Sequence, residues 1–235
     1  MISAGPLAKR PPHIRLLMSS NPLSFHRSLI IGAVALVLTG AGLYGTHRLL
    51  GNVLGNRAGS SCAASAAMAP RLAPFAKGDL AALKVERAPQ PMTPISFDGP
   101  GGEKRDIASF GGRTVLLNLW ATWCEPCKRE MPALDKLQAD LGGPGFEVAA
   151  VNIDTRNLDR PKAWLAENGI SRLAYYHDAK AGIFQDLRRA GEVEGLPTTI
   201  LIGPDGCKLG HLSGWAEWAS ADGLALIRAA IPGGR

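Results

Sequence analysis

Apolar positions along this chain fall into blocks of two periods. Residues 114–120, Thr-Val-Leu-Leu-Asn-Leu-Trp, form a nearly continuous apolar run with β-branched members, which predicts a buried strand. Residues 128–141 place Met131, Leu134, Leu137 and Leu141 at helical spacing, which predicts a helix directly after it. The alternation continues downstream. Residues 146–153 read as a second buried strand, 160–168 as a helix ended by Gly169, 173–177 as a short strand and 179–188 as another helix. Residues 198–202 and 208–212 flank Gly203-Pro204-Asp205-Gly206 and predict a closing hairpin, with a final helix over 218–230. Upstream, Pro89, Pro91 and Pro94 give an extended lead-in. Ile95-Ser96-Phe97 and Lys104-Arg105-Asp106 then flank a Gly/Pro turn and predict an N-terminal hairpin. Strands alternating with helices predict an α/β domain over residues 89–235, with a mixed central sheet flanked by helices.

The N-terminal part has a different texture. Residues 29–44 hold no charged side chain. With its small-residue edges the apolar segment runs to about 18 residues, near the lower limit for a membrane-spanning helix. Lys9, Arg10, Arg15 and Arg27 precede it, and only Arg48 and Arg57 follow closely. That asymmetry predicts a cytoplasmic tail over 1–28, a transmembrane signal anchor over 29–45 and an outward-facing domain. A cleaved signal peptide competes with this reading. Ala64-Ser65-Ala66 suits cleavage but lies far beyond the apolar core, and Gly40-Ala41-Gly42 cuts into it. A lipoprotein attached at Cys62 would lack the large apolar residue expected three positions earlier. Residues 46–88 read as a tether, with a short helix over 72–83 that Gly78 weakens.

Charge changes the picture in one respect. The net charge of +6 invites a nucleic-acid role, but residues 1–57 carry six basic residues and no acid, which is the whole surplus. The domain is formally neutral, so a basic surface for phosphates is unsupported.

The candidate chemistry lies in Trp123-Cys124-Glu125-Pro126-Cys127. Two cysteines separated by two residues can close a disulfide across one helical turn. The strand-to-helix junction puts Cys124 at the start of the helix, where unpaired N–H groups and the helix dipole favour a thiolate. Lys128 and Arg129 add positive charge. Thiol–disulfide exchange needs one exposed low-pKa thiolate and a second thiol behind it, which casts Cys124 as nucleophile and Cys127 as the shielded resolving thiol. Pro126 is tolerated because the first helical turn does not need its missing N–H. The plainer readings are an inert disulfide or half a zinc site. Zinc would want a second Cys or His pair at short spacing, and Cys62, Cys207, His177 and His211 provide none, so no metal is expected. If Cys124 and Cys127 pair, Cys207 is the intramolecular partner left for Cys62. Such a bridge would pin the segment after the anchor to the edge of the sheet; the alternative is two unpaired thiols. Gly195-Leu196-Pro197-Thr198 opens an apolar strand, where Pro is ordinary by itself.

Together these residues resemble a family. The run from Asn118 through Trp120, Thr122 and the two cysteines to Glu130, Met131 and Pro132 resembles the active-site block of the TlpA-type thiol–disulfide interchange proteins. These are membrane-anchored, thioredoxin-like proteins of the bacterial periplasm. Val151-Asn152-Ile153-Asp154, Gly195-Leu196-Pro197-Thr198 and Ala216-Glu217-Trp218-Ala219 extend the match over roughly residues 90–231. The resemblance implies a thioredoxin-like fold with a central strand–helix insert over 158–189. It implies a cis Pro197 facing the dithiol, with the Leu196 backbone beside Cys124 where a substrate chain could pair. Trp123, Glu125 and Pro126 would share that binding surface, and of the tryptophans at 120, 123, 215 and 218 only Trp123 is expected to be exposed. The family places a functional Glu three residues after the second cysteine, here Glu130; the alternative is an ordinary surface acid in the first turns of a helix. Many thioredoxins hold a buried Asp where this chain has Asn118. Asn cannot accept the proton, so acid–base duty would pass to Glu130.

The implied activity is reduction of disulfides in exported cysteine-containing proteins: a copper chaperone, an oxidase subunit or an apocytochrome c. Electrons would come from a membrane thiol transporter, without a cofactor. The protein would be a monomer, single-pass in the bacterial inner membrane, with its catalytic domain in the periplasm. Two other readings are weaker. A thiol peroxidase would carry Pro-x-x-x-Thr-x-x-Cys, a spacing that Cys124 lacks. A copper-binding chaperone would add His and typically a wider cysteine spacing.

Overall fold

The computed structural model of the protein describes residues 62–233. The expected tail at 1–28, the anchor at 29–45 and the first part of the tether lie outside the described residues. Among the described residues no helix is long and apolar enough to cross a membrane.

The elements run in the order α1 (Ala63–Leu72), β1 (Lys84–Val85), β2 (Phe97–Asp98), β3 (Lys104–Arg105), β4 (Thr114–Trp120), α2 (Glu125–Leu141), β5 (Phe146–Asn152), α3 (Arg160–Glu167), β6 (Tyr176–His177), α4 (Gly182–Arg189), β7 (Thr198–Ile202), β8 (Lys208–Ser213) and α5 (Ala221–Ala230). The eight strands form one sheet in the order β1-β8-β7-β4-β5-β6-β2-β3. β4 pairs parallel with β5, from Thr114–Phe146 to Trp120–Asn152, and antiparallel with β7, from Val115–Ile202 to Leu119–Thr198. The expected mixed sheet is therefore present, and the insert supplies α3, β6 and α4. β4, β5 and β7 are buried at every position. That is why they read as continuous apolar runs rather than alternating ones.

Strand polarity fixes what each end of the sheet carries. β4 ends at Trp120, just before the dithiol, and β7 begins there, just after Pro197. β8 runs back antiparallel from Lys208, beside the start of β4, to Ser213 opposite Thr198. Cys207 and the dithiol thus sit at opposite ends of strands about 20 Å long.

The tether needs correction within the described residues. Residues 63–72 are helix α1, with Ser65, Met68, Ala69 and Leu72 buried, lying against α5 and β8. Alanine favours helix, and small residues allow close approach, so a stretch that looks featureless packs well. The helix expected over 72–83 is replaced by 3₁₀ turns at Ala73–Phe75 and Gly78–Leu80. Pro74 has no N–H to donate, and Gly78 takes φ +52°, outside the helical region. Three other boundaries move. The strand expected over 173–177 pairs only at Tyr176–His177. α4 starts at Gly182, because Ala181 is left-handed. α5 starts at Ala221, where the Ser220 side chain accepts from the Gly223 N–H.

Candidate active site

β4 delivers the chain to the top of the sheet, and the turn after Trp120 is secured by a buried carboxylate. Asp154 accepts from the Thr122 N–H and hydroxyl, each at 2.9 Å, and from the Asn152 amide at 2.7 Å. Cys124 then caps α2, its sulfur accepting from the Cys127 N–H at 3.3 Å. Cys124 and Cys127 are joined as a disulfide. Pro126 occupies the first turn of α2, where its lack of an N–H costs nothing. One orphan N–H of this helix end, that of Cys127, is therefore directed at the Cys124 sulfur, where the helix start favours negative charge.

Exposure separates the two sulfurs less than expected. Cys124 is 6% exposed and Cys127 1%. Cys124 is the more accessible of the two residues, yet it too is buried rather than on open surface. Trp123, beside it, is 68% exposed, as expected, and Trp120 and Trp218 are buried; Trp215, against expectation, is 51% exposed at this end of the sheet. Arg129 lies over the Trp215 ring, 5.4 Å from its centroid. Lys128 pairs with the exposed Glu125 at 2.6 Å, so its charge is largely met locally.

Pro197 follows Leu196 through a cis peptide bond. The Pro197 carbonyl accepts from Gly214 N–H at 2.9 Å, and the Thr198 hydroxyl donates to the Gly195 carbonyl at 2.8 Å. By the β4–β7 register Pro197 stands level with Trp120, so its loop lies at the end of the sheet that carries the dithiol.

Glu130 is not a surface acid. It is 1% exposed, one helical turn past Cys127. Its Oε1 accepts from the Trp218 indole N–H and, at 3.2 Å, from the Ala216 N–H; its Oε2 accepts from the Asn118 amide at 3.1 Å. Burial pushes its pKa up to about 7, against the three donors that favour the anion; the nearby Glu217 charge pushes the same way as burial. The residues that hold Glu130 were not singled out as its partners from sequence. Trp218 and Ala216 lie in the Ala216-Glu217-Trp218-Ala219 block, part of the family resemblance.

Cys62 and Cys207 form the second disulfide, with Cα atoms 5.7 Å apart. Beside it the Ser65 N–H donates to the Asp205 carboxylate at 3.0 Å, and the Ser65 hydroxyl donates to the same group. This bridge is at the opposite end of the sheet from the dithiol.

Residues 87–207 match the profile of the AhpC/TSA family. The chain belongs to that family. Its relatives include the "Thiol-disulfide oxidoreductase ResA" of Halalkalibacterium halodurans, 32% identical over 156 residues, covering 66% of this chain and 85% of the relative. The ResA of Oceanobacillus iheyensis is 37% identical over 100 residues, 43% of this chain; the match spans about half, 49%, of that relative's length. Among solved structures, a "thiol:disulfide interchange protein, thioredoxin family protein" from Chlorobium tepidum superposes with a TM-score of 0.51 at 24% identity, covering 62% of this chain and 98% of that one. This AhpC/TSA-family chain thus has the thioredoxin-like fold, and the expected TlpA-type resemblance finds its counterpart in relatives named ResA.

Proposed function

We propose that this chain is a thiol–disulfide oxidoreductase that reduces disulfides of exported proteins. The observation that carries the reading is a disulfide whose outer sulfur caps a helix while a buried carboxylate with a pKa near 7 lies one turn beyond the inner one. In the reduced form, the Cys124 thiolate attacks one sulfur of a target disulfide and expels the other as a thiolate. Cys127 gives its proton to Glu130 and attacks the Cys124 sulfur. The mixed disulfide breaks, the target leaves with two thiols after protonation, and Cys124–Cys127 closes. Two electrons pass to the target, and an external dithiol must restore them. Pro197, with Leu196 beside it, and Trp123, Glu125 and Pro126 around the sulfur, form the surface on which the target chain lies.

The apolar, positively flanked segment at 29–45 supports an inner-membrane anchor with the domain in the periplasm. The family resemblance supports a membrane thiol transporter as donor. It also supports targets in cytochrome c or oxidase copper-site maturation; we take the chain to act as a monomer. The deciding experiment alkylates the reduced protein across a pH series. Cys124 should label near neutrality much faster than a peptide thiol; equal rates would end the proposal. Insulin reduction, with hydrogen peroxide consumption and Cu(I) titration as controls, separates exchange from peroxidase or copper-carrier chemistry.

A further inference from the structure

Asn118 is completely buried, and its Oδ1 has no hydrogen-bond partner, while its Nδ2 has two. A buried acceptor left unpaired is uncommon and needs a physical reason. The Nδ2 hydrogens reach Glu130 Oε2 at 3.1 Å and Thr199 Oγ1 at 2.9 Å. The other carboxylate oxygen, Oε1, is held by the Trp218 indole and the Ala216 N–H, groups that can only donate. A proton arriving on Glu130 must therefore sit on Oε2, facing Asn118. There it would meet an N–H, donor against donor. A primary amide can remove that conflict, because turning end for end presents oxygen where nitrogen was. The Thr199 hydroxyl can follow, since it accepts in one arrangement and donates in the other.

We propose that the Asn118 side chain is a two-position amide that holds Glu130 in both its anionic and its neutral form, turning over as the proton comes and goes. With the anion, Nδ2 donates to Oε2 and to Thr199, as the structure has it. With the acid, the Oε2 hydroxyl and the Thr199 hydroxyl both donate to Oδ1. Each arrangement leaves one end of the amide unpaired, so neither is locked. Aspartate at this position could not serve, because it would compete for the same proton. Asn118 is thus a positioning residue, and its significance for exchange rests on the proton role given to Glu130 above. The groups on Glu130 are the Asn118 amide from β4 and, from the segment after β8, the Ala216 N–H, the Trp218 indole and the Glu217 charge; Thr199 from β7 reaches Asn118 in turn. None is a cation that would pin the carboxylate in one state.

The test is made by NMR on the full-length chain with its disulfides intact, so that no cysteine titrates. Asn side-chain amides and Glu carboxyl carbons are labelled and followed from about pH 5 to 9. The Asn118 amide resonances should shift with the same midpoint as the Glu130 carboxyl carbon. Asn118→Leu should raise that midpoint by about one pH unit, because the lost bond to the anion is stronger than the lost bond to the acid. Thr199→Ser keeps the hydroxyl and should leave the midpoint in place. Glu130 titrating beside an unmoving Asn118 amide would overturn the proposal, and so would an unchanged midpoint in Asn118→Leu. Should that variant fail to fold, the wild-type resonances decide alone. No substrate is present, so the result is independent of whether Glu130→Gln slows insulin reduction, which tests the proposed reaction itself.

Discussion

At Glu130, burial and hydrogen bonding act in opposite directions. Three donors favour the anion, none is a cation, and removal from water favours the acid. The result, a pKa of about 7 against the ordinary 4.5, has two consequences. The first is kinetic: a base with a pKa near working pH is suited to accept and return a proton. Glu130→Gln should slow resolution of the mixed disulfide by about 10²-fold and remove the inflection near neutrality from its pH profile. Stopped-flow fluorescence of insulin reduction checks both. The second is thermodynamic. Below about pH 4.5 both folded and unfolded chains hold the proton. Between there and about 7 the folded protein keeps a proton that the unfolded chain has lost, so stability falls as pH rises through the window and levels off above it. Urea midpoints measured across this range should fall by an amount worth a few kcal/mol, and Glu130→Gln should flatten that component. An unchanged slope in the variant would assign the pH dependence to other groups. The cysteine pair was legible from its spacing at a strand-to-helix junction, and Glu130 only through the family resemblance. The burial of Glu130 was not: it is imposed by Trp218 and Ala216, which lie 88 and 86 positions away.

Among the elements, the long periodic ones were readable nearly to their ends, while the short ones were placed with looser bounds or, like α1, missed. β4, β5, β7 and α2 announce themselves because burial on both faces, or on one helical face, leaves a repeated mark on many residues. α1 carries only Met68, Ala69 and Leu72 as buried apolar residues, too few to set a period before its partners α5 and β8 are known. Tyr176–His177 is too short for alternation to mark its bounds, so the strand expected over 173–177 was set too long. One contact between elements couples directly to the site. A Cβ placed on Gly223, in the first turn of α5, would come within 2.2 Å of the Trp218 carbonyl oxygen. Backbone cannot yield there as a flexible side chain would, so Gly223→Ala must displace either the helix turn or the 216–218 segment. Overpacking of this kind costs about 1–3 kcal/mol. Because that segment holds Glu130 Oε1, the variant should also lower the exchange rate and move its pH profile. Thermal unfolding and exchange kinetics on one sample check the pair of effects. Lost stability with wild-type kinetics would show that the segment can adjust without disturbing Glu130.

Across the described domain, the two disulfides occupy opposite ends of the sheet and have different surroundings. Cys124–Cys127 spans one turn at a helix start and closes almost no loop, so it contributes little to stability. Cys62–Cys207 joins positions 145 apart and ties α1 to the start of β8. In the loop-entropy account a closure of that length stabilises by about 4–5 kcal/mol, with the Ser65–Asp205 contact held in register as a consequence. Nothing in this clasp approaches Glu130, Pro197 or the Trp123 surface, because the length of β4 and β8 lies between them. The paired substitution Cys62→Ala/Cys207→Ala should therefore lower stability by that amount, measured by urea unfolding with the dithiol kept oxidised. It should leave the exchange rate at Cys124 within about twofold at temperatures where the domain stays folded, since effects more than about 10 Å apart with no shared partner act independently. A large loss of exchange in a folded variant would mean that the clasp reaches the dithiol through the sheet. Unchanged stability would mean that α1 holds its place by packing alone.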